Sequence, residues 1–127
     1  MKEIYCKVNE APISKPSLTG IEIIAQERER QLSQEGWSAQ HDDNHPRGHL
    51  ALAGACYALD FALYGKTAKE LWPWDYEWWK PPKEATISEG IHELAKAGAL
   101  IAAEIDKLQR QWEFQKKTMV KSWDSIK

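Results

Sequence analysis

A chain of 127 residues has room for one domain with one modest core, and not for two. Its 17 Lys and Arg against 19 Asp and Glu leave a net charge of -2, so no basic field recommends nucleic acid or an anionic membrane as a partner. A hydrophobic fraction of 43% with 28% charged residues excludes a disordered chain, and the one compositional anomaly is seven Trp against two Phe and four Tyr.

Residues 1–18 contain Pro12 and Pro16 and no sustained period, which predicts an extended N-terminal arm with one short strand around Ile4–Val8. The start lacks the apolar run of a signal peptide, and Leu50 to Leu59 is roughly half of the ~20 residues that a membrane span needs. Cys6 and Cys56 follow no metal-type spacing. Together these predict a cytoplasmic protein in a reducing compartment.

Thr19-Gly20-Ile21-Glu22 reads as a capping box, opening a first helix over about 20–35 with Gly36 as its stop. Ile21, Ile24, Ala25, Arg28 and Leu32 keep helical spacing along it. Residues 37–46 form a polar loop rich in turn formers. A second helix is predicted over about 46–64, closed by Gly65; its body is apolar or small on nearly every side, which makes it central, and only Asp60 interrupts it. A long Trp/Pro-rich loop follows, in which Pro73, Pro81 and Pro82 forbid a regular helix but leave space for a short turn between Asp75 and Trp79. Thr86-Ile87-Ser88-Glu89 is a second capping box and begins a third helix over about 87–114. Its stripe of Ile87, Ile91, Leu94, Gly98, Ile101, Ile105, Leu108 and Trp112 alternates spacings of three and four, a packed seam long enough to engage a second subunit. The expectation is an all-α domain over 19–114, three principal helices, a basic tail over 115–127 that frays, and a homodimer.

The densest polar constellation is His41, Asp42, Asp43, His45 and His49. Imidazole beside carboxylate suits zinc or manganese, and carboxylates alone suit magnesium, so His41, Asp42, Asp43 and His45 are the candidate donors for a divalent metal (Mg, Mn or Zn). The alternative is an Asx-rich turn whose acids favour the positive end of the next helix. Arg47 and His49 at that helix start would suit a phosphate. Glu27, Arg28, Arg30 and Glu35 on the first helix read either as a solvated, salt-bridged face or, for Glu27 and Arg28, as polar groups turned inward. Glu93 and Lys96, three apart, are expected to satisfy each other. Trp72, Trp74, Trp78 and Trp79 either pin the loop to the body or, with Tyr76 and Lys80, stack on a nucleobase or a partner protein.

The combination Glu27-Arg28-x-Arg30-Gln31, Glu35-Gly36-Trp37, His41-Asp42-Asp43-x-His45, Trp72-Pro73-Trp74-Asp75, Trp78-Trp79-Lys80-Pro81 and Leu94-x-Lys96-Ala97 resembles a family of small proteins encoded by phages and prophages, over roughly residues 21–110. That resemblance implies a setting more than an activity. The helical layout is also similar to MazG-like all-α nucleoside triphosphate pyrophosphohydrolases, which implies paired helix carboxylates holding magnesium. Here the third helix reads Glu93-Leu94-Ala95-Lys96, with lysine in the place of an acid. Gly36-Trp37, Asp42-Asp43 and His45-Pro46 resemble the repeat domain of ryanodine receptors, which implies a ligand-binding module.

Two functions are therefore expected. In the first, the loop closes over a nucleotide or related phosphorylated ligand, held by Glu27, Arg28, Arg47, His49, Trp72, Trp74, Trp78, Trp79 and Lys80, with hydrolysis if a metal joins. In the second, the Trp-rich loop is a protein-interaction surface of a phage-encoded modulator, directed at a host enzyme or defence system.

Overall fold

The computed structural model describes residues 17–63 and 68–126. The N-terminal arm, apart from exposed Ser17 and Leu18, and the Gly65 stop lie outside them. Among the described residues the fold is all-α: α1 (Gly20–Ser33), α2 (Ala39–Asp43), α3 (His49–Leu63), α4 (Ala68–Leu71) and α5 (Ile87–Ile126), with a single 3-10 turn at Tyr76–Trp78 inside the Trp-rich loop. No helix among these residues is long and apolar enough to cross a membrane.

The first capping box forms in full. Thr19 Oγ1 accepts from the Glu22 amide at 3.2 Å, and Glu22 Oε1 accepts from the Thr19 amide at 2.9 Å. The second forms by half: Thr86 Oγ1 accepts from the Glu89 amide, but the Glu89 carboxylate accepts from the Glu84 amide and so ties the incoming loop to the helix start. Gly36 takes φ +70° just past the end of α1, and Gly48 takes φ +88° at the entry to α3.

Three expectations need correction. The polar loop at 37–46 contains a helical turn, α2, because Ser38 Oγ caps it by accepting from the His41 amide at 3.2 Å. The third helix does not stop at 114: residues 115–126 contain neither Gly nor Pro, and nothing in them breaks the backbone ladder, so α5 runs on to Ile126 as 40 residues. Most consequential, the apolar stripes of α1 and α5 are not the faces this chain buries. Ile21, Leu32, Ile91, Leu94, Ile101, Ile105, Leu108 and Trp112 are exposed, while Glu27, Gln31, Glu93, Ala97, Leu100, Glu104 and Lys107 are buried.

The core explains this inversion. It is built from Leu50, Ala53, Cys56 and Tyr57 of α3, Ala97, Leu100 and Ala103 of α5, and Trp72 from the loop, with Trp37, Trp74 and Trp79 packed against it. Alanines and Gly54 let α3 and α5 approach closely; a Cβ on Gly54 would lie 2.8 Å from the Ala97 carbonyl oxygen. The bulk is supplied by indoles rather than by helix-borne aliphatics, so α1 and α5 can turn charged side chains toward one another and toward the loop. α3 is accordingly buried on one side only, with Leu52 and Leu63 exposed.

Candidate functional site

One wall of the site is α2, and ion pairs hold it. Asp42, 0% exposed, accepts from Arg28 Nη2 at 3.0 Å and lies 2.9 Å from His41 Nδ1. Arg28 also stands 3.7 Å from Asp106 of α5. Asp43 accepts from Arg110 at 2.7 and 3.2 Å, and the buried Lys107 ammonium donates to the His45 carbonyl. The two adjacent carboxylates are thus neutralised by cations from α1 and α5. That fixes the rings of His41 and His45: His41 stacks on Trp37 at 5.4 Å and 10°, and His45 meets it edge-on at 5.0 Å. Burial, and then the neighbouring His41 ring, push the His45 imidazole below its ordinary value, so it is neutral at pH 7.

The opposite wall is the Trp-rich loop. Trp72 is almost fully buried; its Nε1 donates to the Asp75 carbonyl and closes the loop on itself. Trp79 stacks on Tyr57 at 4.9 Å, and Trp74 leans on His45 at 4.7 Å. Tyr57 is the hub, since its hydroxyl accepts from the Lys80 amide at 3.2 Å and burial pushes its pKa up to about 12. Trp37, His41, His45, Trp74, Trp72, Trp79 and Tyr57 therefore form one continuous chain of ring contacts. It partly encircles a cavity of about 480 Å³, completed by Asp75, Trp78 and Leu100. That volume lies within the usual range for a small-molecule site.

A smaller recess of about 130 Å³ adjoins it, sharing Trp37, Tyr57, Trp78 and Leu100, and its remaining lining is the amide of Gln31 and the charged Glu27, Arg30, Glu35, Lys80 and Lys96. Glu27, 5% exposed, accepts from Arg30 Nε at 2.9 Å and Nη2 at 2.8 Å. Burial alone would raise the Glu27 carboxyl, but the Arg30 hydrogen bonds and the charges of Arg30, His92 and Lys96 outweigh it and hold the group below its ordinary value. Lys96 donates to the Lys80 carbonyl at 3.2 Å and lies 5.4 Å over the Tyr57 ring. Burial lowers its pKa, with the Glu27 carboxylate opposing that shift. Gln31 Oε1 and Trp74 Nε1 are buried without a hydrogen-bond partner among the described residues, which leaves one acceptor and one donor among the lining side chains.

The expected pairing of Glu93 with Lys96 does not form. Glu93, 2% exposed, has no hydrogen-bond partner on either carboxyl oxygen among the described residues; burial first, and then the neighbouring Asp60, push its pKa up to about 9, so the carboxyl keeps its proton.

Of the sequence-predicted residues, Glu27, Trp72, Trp74, Trp78, Lys80, His41 and His45 line the two recesses. Trp79 stands behind them as support. Arg28 is committed to Asp42, while Arg47 and His49 lie outside both recesses. Among the described residues no three His, Cys, Asp or Glu side chains are placed to hold a metal ion together, because Asp42 and Asp43 point into their arginine pairs. Sequence reading missed Tyr57, Arg30, Gln31, Lys96 and Leu100 as lining residues. Tyr57 carried a signal, being the one aromatic hydroxyl within the Ala-rich body of α3. No family model, curated protein or solved structure matches the chain.

Proposed function

We propose that the chain binds a nucleotide or a closely related phosphorylated small molecule across the two recesses. The observation that carries this reading is the junction of an aromatic cavity with a charged recess containing Arg30, Lys80 and Lys96, through a shared boundary at Tyr57 and Trp78. A nucleobase has two π faces and stacks on indole or imidazole rings with little regard to sequence, while its phosphates need cations a few ångströms away. Arg30 and Lys96 also face Glu27, which would keep the cations ordered before a ligand arrives. These cations replace Arg28 and Arg47 as the phosphate-holding groups. With Asp42 and Asp43 committed to arginines, binding and not metal-assisted hydrolysis is the activity proposed.

Calorimetry and tryptophan quenching with nucleoside mono- and triphosphates test it. Trp74→Ala and Trp78→Ala should each weaken binding by roughly 5- to 100-fold, the value of one stacking partner. Lys96→Met should weaken nucleotides while sparing the matching nucleosides. An absence of heat and quenching with every nucleotide would sink the reading. A second reading rests on the exposure of Tyr76 and Trp78, 58% and 57%, at the cavity rim. There the loop anchors a partner protein, and Trp78→Ala abolishes capture of a defined host protein while Lys96→Met leaves it intact.

A further inference from the structure

The apolar stripe of α5 is the largest feature that neither the core nor the site uses. Ile91, Gly98, Ile105, Trp112, Met119 and Ile126 stand seven residues apart, and Ile87, Leu94, Ile101 and Leu108 repeat at the same interval between them. The register fails only at Gln115 and Ser122. A 3.5-residue apolar period unbroken over 87–112, and continued at Met119 and Ile126 to the end of a 40-residue helix about 60 Å long, is the pattern of a helix that packs against another helix. Among the described residues that partner is missing for most of the seam. Gly98 is covered by Ile24 of α1 and Ile101 touches Gly54 of α3, but every described residue from 111 onward is exposed.

We infer that α5 pairs along this seam with α5 of a second copy of the chain. Three observations select that occupant. A heptad seam is complementary to itself under a twofold axis, so a second copy presents the matching surface by construction. Ile21 of α1, 82% exposed, is the largest exposed apolar side chain at the N-terminal end of α1, whose Ile24 already lies on the seam at Gly98, so α1 widens the face beside α5. The exposed fractions of Ile21, Ile91, Leu94, Ile101, Ile105, Leu108 and Trp112 correspond to an area on the order of 800 Å² per chain, which is what one partner contributes to a stable standard-size interface. Pairing through this face leaves the Trp cavity free, because the cavity-lining Leu100 lies on the opposite, buried side of α5.

Sedimentation equilibrium of the full chain tests the inference, with far-ultraviolet circular dichroism as the check on folding. The wild type should sediment at twice its 14.6 kDa chain mass. Ile105→Glu and, separately, Met119→Glu place a charge in the seam without touching the monomer core. Each should raise the dimer dissociation constant by roughly 100-fold or more while the far-ultraviolet spectrum of the chain stays predominantly helical. Lys117→Glu, on the far side of α5, should leave the dimer as it is. A wild type that stays monomeric at every concentration would overturn the inference, whether residues 1–16 or a different protein covers the face. A dimer that survives both seam charges would overturn it equally.

Discussion

Glu93→Gln is expected to make the protein more stable, and increasingly so as pH rises. Glu93 is buried to 2% exposure between α3 and α5, with Asp60 beside it, and it holds its proton to about pH 9 in the folded chain. In the unfolded chain the same carboxyl titrates near 4.5. Between those two values the folded state carries one more proton than the unfolded state, so wild-type stability falls with rising pH. Each pH unit above 4.5 costs ~1.4 kcal/mol, which amounts to about 3 kcal/mol at pH 7 as an upper limit. Glutamine has the same shape and no charge to gain on unfolding. Urea unfolding of both chains at pH 5, 6, 7 and 8 would measure the effect. The two should be nearly equal in stability at pH 5, with the variant ahead by an increasing margin above it. A variant that is less stable at pH 7, or a difference that does not change with pH, would show that Glu93 is ionised in the fold.

Other substitutions probe the framework around the site. Asp42→Asn removes the nearer of two counter-charges of Arg28, whose side chain is 13% exposed and still has Asp106 at 3.7 Å, and should cost about 1–3 kcal/mol in urea unfolding while weakening any nucleotide bound beside His41. Gly54→Ala places a Cβ 2.8 Å from the Ala97 carbonyl oxygen, a backbone atom that cannot yield. Overpacking of about 1–3 kcal/mol should outweigh the ~1 kcal/mol helix-propensity gain, and Tm should fall. Gly98→Ala would bring its Cβ to 2.6 Å from Ile24 Cδ1 and 2.8 Å from Ile24 Cγ1, so the Ile24 side chain must shift and Tm should fall by the same assay.

The all-α class, the first capping box and the position of α3 were legible because each rests on local signals: spacing, a Ser/Thr three residues before a Glu, a run of small residues. The Trp-rich loop was legible as a place for the same reason, since prolines exclude other structure there. What the sequence could not disclose is which face of an amphipathic helix looks inward. Periodicity locates the apolar stripe of α5 but says nothing about whether its partner lies in the same chain. Here the loop indoles filled the interior and turned Glu93, Glu104 and Lys107 inward. The same inversion moved Lys96 and Tyr57 into the site, and it drew Arg28 from ligand binding to the support of Asp42. His45 meets the loop at Trp74, while the acids beside the two histidines serve the fold, a distinction that depends on Arg110, 67 residues distant from Asp43.

The two walls of the cavity are held by different forces, and they should come apart under different solvents. α2 buries only Asp42 and is held chiefly by Arg28, Lys107 and Arg110, whereas the loop is held by contacts between rings. Ionic strength weakens the first kind of attachment most where the pairs are exposed, as at Arg110–Asp43, and hardly touches the second. Concentrated salt therefore acts on the cavity as on a hinged vessel: the histidine side loosens while the tryptophan side stays seated on α3. Backbone amide exchange in α2 would then quicken well before that of α3 or the central turns of α5, making the entrance to the cavity the first part of the molecule to breathe.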